Sequence, residues 1–250
     1  VKGSGADLVY SPPREGDKVS DDLAVVEGRF EGKKAVRLNM GRYEGIGFNP
    51  ENKRFTFSCW FRRQGPGGLA AASMVEEGAL VSVAGWDRGW RIATVYDSFN
   101  TIRFCLGQPG GSEMAVSNVS IPDNVWHHLA ATWDGKEMLI YFNGITVGRK
   151  EFNGSYVPGR KEDVLRLGNA GDSTGSLVLD MDEAVLYNEP LSSDEIRVLA
   201  RAGSSPANAV FRAADRCIMG GDFRGARLEY EKLKKMKSVE SAAEMALFNI

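Results

Sequence analysis

The stretch that most constrains this chain is VWHHLAATWDGKEMLIYFNG, residues 125–144. It holds two turn pairs, Asp134-Gly135 and Asn143-Gly144. Such pairs suit two-residue hairpin loops, because both central positions need a positive φ that Gly, Asn and Asp tolerate. Before the first pair, Leu129, Ala131 and Trp133 alternate with His128, Ala130 and Thr132. After it, Met138, Ile140 and Phe142 alternate with Leu139, Tyr141 and Asn143. Apolar side chains on both faces of both strands are what a buried layer requires. The hairpin sets the expectation of a β sandwich.

The rest of the chain to about residue 187 repeats that signal. In RFTFSCWFRR, Phe55, Phe57, Cys59 and Phe61 alternate with Thr56, Ser58, Trp60 and Arg62, which places the first set in a core. Period-2 runs between turn residues predict further strands at 7–10, 35–38, 45–48, 79–84, 90–96, 101–106, 146–152, 164–168 and 177–187. About a dozen short strands with turns every ~8–12 residues mean a sandwich or barrel. The 29 glycines among 250 residues fit a fold with that many turns.

Near Leu191 the pattern changes. LSSDEIRVLARAG carries Ser192 and, three residues on, Glu195, a capping-box spacing, and stops at Gly203. Ser204-Ser205-Pro206 reads as a linker. Beyond it Ala209, Ala213, Cys217, then Ala226, Tyr230 and Leu233 recur at helical spacing around Gly220-Gly221-Asp222. SAAEMALFNI starts a third helix without a cap, which implies a chain that continues. The expected division is a β domain over residues 1–203 and a helical segment over 204–250.

Charge and cysteine content exclude some classes. A net charge of −2 makes no electrostatic case for nucleic acid or an anionic membrane. No apolar run approaches the ~20 residues of a membrane helix. No signal peptide is read, and a chain that begins at Val1 rather than Met is compatible with a targeting segment already removed. Cys59, Cys105 and Cys217 form no CxxC pair, and Cys59 shares a face with three phenylalanines, which makes it a core residue.

The strings GRFEGKKAVRL, FTFSCWFR, WHHLAATWDGKEMLIYFNG, LRLGN and LDMDEAVLYNEPLSSDEI resemble, in order and spacing, the LamG-like jelly roll of the concanavalin A-like lectin/glucanase superfamily. The resemblance covers about residues 6–203. It implies a mainly β fold, a two-sheet antiparallel jelly-roll sandwich of about six or seven strands per sheet, with a short C-terminal helical hairpin. It also implies an extracellular, periplasmic or cell-surface setting. AADRCIMGGDFRGARLEYEKL resembles a tetratricopeptide repeat through Ala213, Gly220, Phe223, Ala226 and Tyr230, and so implies protein partners.

The superfamily includes retaining glycoside hydrolases, which place paired carboxylates on one strand as ExDxxE. The nearest match here, Asp180-Met181-Asp182-Glu183-Ala184-Val185, has Asp in the nucleophile's place and Val185 in the acid's. No general acid follows from it, so the expectation is a protein without catalytic residues. His127 and His128 point to opposite faces; the reading is a buried His128 bonded to backbone and an exposed His127. Calcium is a candidate ligand by the resemblance, because a hard cation takes six to eight oxygens from loop carboxylates and carbonyls. The acidic candidates are Asp17 with Asp21 and Asp22 in the first long loop, and Asp172 and Asp182 with Asn169 near the late strands.

Sugar recognition needs a flat aromatic face for C–H-rich rings and planar polar groups for hydroxyls. The turn GWDRGW and the later turn beginning at Tyr96 offer Trp86, Asp87, Arg88, Tyr96 and Asn100, whereas Trp90 is expected to pack. The functional expectation is a non-catalytic recognition module, for glycans first, attached to a helical protein-interaction segment. The alternatives are a protein-binding domain without a sugar ligand, and a glycoside-active enzyme with an atypical site.

Overall fold

The computed structural model describes residues 9–11, 24–29, 34–39, 42–46, 54–64, 76–84, 87–96, 101–160, 162–168, 178–202, 210, 213–214, 216–218 and 220–233. These form two seven-stranded antiparallel sheets packed face to face. The first sheet contains β1 (Val9–Ser11), β4 (Arg42–Ile46), β6 (Glu76–Val83), β7 (Trp90–Tyr96), β8 (Thr101–Gln108), β9 (Gly111–Asn118) and β13 (Val164–Gly168), in the order β1-β4-β13-β6-β7-β8-β9. The second contains β2 (Ala24–Glu27), β3 (Lys34–Asn39), β5 (Phe55–Arg63), β10 (His127–Trp133), β11 (Glu137–Phe142), β12 (Ile145–Glu151) and β14 (Val178–Tyr187). Its order is β12-β11-β10-β5-β14-β3-β2. The two-sheet antiparallel sandwich read from the sequence is the observed fold.

Alternation explains the core. Phe55, Phe57, Cys59 and Phe61 of β5 and Leu129, Ala131 and Trp133 of β10 all face the first sheet. They meet Trp90 and Ile92 of β7 and Ile102, Phe104 and Leu106 of β8. Trp90 is fully enclosed, its ring centroid 4.8 Å from Phe55 and 5.7 Å from Phe57. Burial also pushes the Cys59 thiol up, so it remains a neutral apolar group.

The opposite face of β10 is buried too. Helix α1 (Ser193–Ala202) lays Ile196 and Leu199 on Ala130 and Tyr141, giving the sandwich a third layer. This is why the hairpin is apolar on both sides. The capping box forms as read: Glu195 N donates to Ser192 Oγ at 3.3 Å, and Ser192 N donates to Glu195 Oε2 at 2.8 Å. Thr56 Oγ1 fixes the approach to the helix by donating to the Glu189 carbonyl and accepting from Leu191 N.

The two hairpin turns differ. Asn143 and Gly144 both have positive φ, 50° and 81°, as a two-residue loop demands. At Asp134-Gly135 only Gly135 has positive φ, and the loop is wider than the two residues expected. Asp134 Oδ1 accepts from both Lys136 N and Glu137 N at 2.8 and 2.6 Å, an Asx-type turn that supplies its own closure.

Two strands escaped the sequence reading. β9, GSEMAVSN, is an edge strand of mixed polarity, and β2 lies at the opposite sheet's edge. Their main-chain bonds come from β8 and β3, so a hydrophobic pattern is not needed to hold them. In the C-terminal segment, helix α2 (Phe223–Leu233) follows helical residues 213–214 and 216–218 across the turn at Gly220-Gly221. Asp222 caps α2, its Oδ1 accepting from Gly225 N at 2.8 Å. Ala226 and Tyr230 are buried. One short helical hairpin is what these residues establish, and a tetratricopeptide array does not follow from it. The third expected helix, at 241–250, lies outside the described residues.

Gly144 generates a test. A Cβ there would stand 2.9 Å from the Ala200 Cβ and 3.4 Å from the Arg197 Cα, besides requiring φ near +81°. Gly144→Ala is expected to lower unfolding free energy by about 2 kcal/mol in urea denaturation. Pairing it with Ala200→Gly should restore only the steric part.

Candidate functional site

The predicted sugar-binding turn is divided by the fold. Asp87 is exposed and precedes Arg88 at the start of β7, whereas Tyr96 ends that strand. Six residue steps separate Trp90 from Tyr96, roughly 20 Å at strand rise. The backbone thus sets Asp87 and Arg88 beside one end of β7 and Tyr96 at the other. Trp86 and Asn100 lie outside the described residues, as does the side chain of Tyr96.

Arg88 already has a partner. Its Nε and Nη2 donate to Asp163 Oδ2 and Oδ1, both at 3.0 Å, a bidentate pair. The Arg160 amide donates to the same Asp163 oxygen as Arg88 Nε, and the two interactions together hold the Asp163 carboxyl below the usual range. Gly107 packs against the Arg88 backbone so closely that a Cβ would overlap it. Gly89 N donates to the Val157 carbonyl at 2.8 Å, and Val157 N to the Gly107 carbonyl at 2.9 Å. Arg88 thus fastens the β6–β7 turn to the 157–163 loop and leaves Asp87 outermost. Nothing in the sequence marks Asp163, because its partner is 75 residues away.

The outer face of the second sheet carries the acidic residues read against the hydrolase pattern. Leu179 and Met181 point into the core, so Asp180 and Asp182 point out. Asp180 is nevertheless 0% exposed. Arg37 Nε and Nη2 donate to it at 2.7 and 3.1 Å, Arg62 Nε at 2.9 Å and Gln64 Nε2 at 2.6 Å. Of these four contacts three fall on Oδ2 and one on Oδ1, so the buried carboxylate is held by two guanidinium groups and an amide.

Asp182 faces a cation as well. Arg29 Nε donates to its Oδ2 at 3.0 Å, while Arg29 Nη2 lies 2.8 Å from Glu183 Oε1. A β-bulge between Asp182 and Val185, with Glu183 at φ 48°, brings both acids to one guanidinium. Arg29 also lies over the Trp60 ring, 4.4 Å from its centroid. A carboxylate already paired with Arg29 does not suit calcium at Asp182. Asp17 and Asp172 lie outside the described residues. Among the described residues no three His, Cys, Asp or Glu gather as a metal site. Beside Asp182 a pocket of about 270 Å³ is lined chiefly by Ala35, Val36, Leu38, Leu167 and Met181.

His128 is buried, as expected, whereas His127 departs from expectation. His127 shares the parity of Leu129 and points into the core, stacked on Phe142 at 4.8 Å, so it is buried rather than exposed. His128 points outward but is covered, its Nε2 3.0 Å from Ser58 Oγ and its ring edge-on to Trp60. The β10 alternation held this answer, because any residue two before Leu129 must face inward. Burial and the nearby Arg63 charge lower the His127 pKa to about 3. Its Nδ1 lies 3.2 Å from Asn143 Nδ2, and the Pro122 backbone supplies a further hydrogen bond.

The family can now be stated. A laminin G-type profile of the concanavalin A-like lectin/glucanases superfamily matches residues 34–197, well over half the chain, and the chain belongs to that superfamily. No curated protein matches it in sequence. Similar solved folds are toxin binding domains. A structure of botulinum neurotoxin type C, described as dependent for cell entry on two ganglioside molecules, superposes with TM-score 0.59 at 14% identity, over 80% of this chain and 47% of that one. The binding domain of botulinum neurotoxin DC in complex with SialylT gives 0.57 at 14%, over 80% and 46%. The binding domain of Paraclostridial Mosquitocidal Protein 1 gives 0.56 at 19%, over 78% and 52%. The chain thus spans about half the length of these domains, and at such identities the likeness is one of fold.

Two tests follow. Asp180→Ala strands Arg37 and Arg62 and is expected to cost about 3 kcal/mol of stability, measured by denaturant unfolding. For His127, the folded pKa lies below the ordinary 6.5, so its contribution is complete above that pH and is lost as pH falls toward 3. His127→Gln should therefore flatten the decline of stability between pH 6 and 4 by up to about 1.4 kcal/mol per pH unit.

Proposed function

We propose that this protein is a non-catalytic recognition module for carbohydrate, displayed at a cell surface or outside the cell, with residues 1–203 as the binding domain and 204–250 as an attached helical segment. The observation that carries this reading is the state of the outward acidic residues on β14. Asp180 is engaged by Arg37, Arg62 and Gln64, and Asp182 by Arg29, so the strand that bears catalytic carboxylates in related hydrolases presents salt bridges here. Hydrolysis with retention needs two carboxyl groups facing the scissile bond. The lectin-like fold and the sialyl- and ganglioside-related descriptions of its structural neighbours support a sugar ligand.

We assign the ligand surface to the turn at residues 86–88. Arg88 anchors that turn to Asp163, the exposed Asp87 carboxylate lies 3.5 Å from Arg88 Nη1, and Trp86 is the residue type that sugar stacking needs. A second reading, protein recognition, draws support from the exposed Phe223 and Leu228 of α2 and from a neighbour solved with rat synaptotagmin II.

Glycan-array binding of the intact chain, run with and without EDTA and followed by a reducing-sugar assay on each retained glycan, distinguishes these readings. The expected result is retention of one glycan class without turnover, insensitive to EDTA and weakened at least about fivefold by Asp87→Ala or Trp86→Ala. Turnover of a bound glycan, or no retention alongside tight capture of a protein partner, would overturn the carbohydrate reading.

A further inference from the structure

The chain holds two Asn-Gly pairs, Asn143-Gly144 and Asn153-Gly154, and the fold treats them in opposite ways. Such a pair is self-reactive, because a glycine has no Cβ to shield its main-chain nitrogen from the preceding side-chain carbonyl. We propose that Asn153 is a site of spontaneous deamidation in the folded protein, and that the fold protects Asn143 from the same reaction.

The reaction needs only water. The Gly154 main-chain nitrogen gives its proton to solvent base and attacks Asn153 Cγ. The bond from Cγ to Nδ2 breaks, ammonia leaves with a proton from water, and a succinimide ring remains. Water then opens the ring at either carbonyl, leaving aspartate or isoaspartate at that position with no change of oxidation state.

Geometry separates the two asparagines. Attack requires the nitrogen to reach the carbonyl carbon at about 3–3.5 Å along a productive direction, with solvent at hand. Asn153 follows β12 in an irregular segment, and Asn153, Gly154 and Ser155 are all exposed. Asn143 is 0% exposed and held at three atoms. Its N donates to the His128 carbonyl at 2.7 Å, its Oδ1 accepts from His128 N at 3.1 Å, and its Nδ2 lies 3.2 Å from His127 Nδ1. Reaction at Asn143 therefore waits on local opening, which costs free energy. The exposed Asp134-Gly135 pair carries a carboxylate bonded to two main-chain amides, and an anion resists nucleophilic attack.

Packing demands the reactive glycine. A Cβ at Gly154 would run into Gln108 Oε1 and stand 2.9 Å from the Phe152 ring. The product matters for the same reason. Isoaspartate routes the main chain through its own Cβ, inserting a methylene between Phe152 and Tyr156. Both of those rings pack on Trp133, with centroids 5.3 and 6.1 Å away. Val157, the next residue, donates to the Gly107 carbonyl and accepts from Gly89 N. Conversion at Asn153 thus loosens the attachment of the 157–163 loop to the turn at Arg88.

This inference does not rest on the carbohydrate reading. It is tested by incubating the intact chain in mildly alkaline buffer, with and without urea, and following both asparagines by peptide mass mapping. In native buffer Asn153 is expected to convert at least ~10-fold faster than Asn143, and in urea the two rates should converge. Asn153→Gln should abolish the native-state conversion, because glutamine must close a larger, slower-forming ring. In the isoaspartyl fraction, hydrogen exchange at the Val157 and Gly89 amides should quicken at least about threefold relative to Asn153→Gln. Asn143 keeping pace with Asn153 in native buffer, or Asn153 converting in urea only, would overturn the site. Unchanged exchange at Val157 in the converted protein would overturn its effect on the loop.

Discussion

The rest of the structure depends on the turn at Asn143–Gly144. Asn143 uses its side chain twice, accepting from His128 N and meeting His127 Nδ1, which ties the turn to the strand that bears both histidines. His127 in turn reaches the Pro122 backbone from inside the core. Gly144 lets α1 approach to van der Waals contact, so that Ile196 and Leu199 cover Ala130 and Tyr141. One two-residue loop therefore joins both faces of the second sheet to their covering layers. Its sequence, with the preceding His-His, is structural at every position.

Ion pairs do similar work at the edges and on the outer face. Arg63 and Asp123, both nearly inaccessible, join β5 to the 119–126 loop at 2.9 Å, and Arg63 also donates to the Ile121 carbonyl. Arg88 and Asp163 close one end of the first sheet, while Asp180 collects Arg37, Arg62 and Gln64 across three strands. Buried charges of this kind are tolerated only when their hydrogen-bonding capacity is filled. That requirement marks the scaffold: an acid engaged by two arginines, as Asp180 is, holds the sandwich.

Membership of the concanavalin A-like lectin/glucanases superfamily fixes the architecture more tightly than the activity, because functions in such folds live in grafted sites. The toxin binding domains that share the fold extend to about twice the span matched here. What distinguishes this chain is local: a bulged β14 whose acids face Arg29, and a turn clamped by Arg88.

Much of the fold was legible in the residues. The strands at 90–96 and 164–168 fall where alternation put them, the Ser192–Glu195 cap formed as spaced, and β5 and β10 present the predicted faces. Alternation is a local property, and burial of one face enforces it whatever lies opposite. The edge strands β2 and β9 were not legible, since their partners rather than their own side chains hold them. Nor were the pairings that decide function. Arg88 meets Asp163 across 75 residues, Arg62 meets Asp180 across 118, and Arg37 meets Asp180 across 143. By itself the sequence determined which side chains face the core and where the chain turns. Which outward charges neutralise one another depends on strand order, and only the tertiary structure decided that.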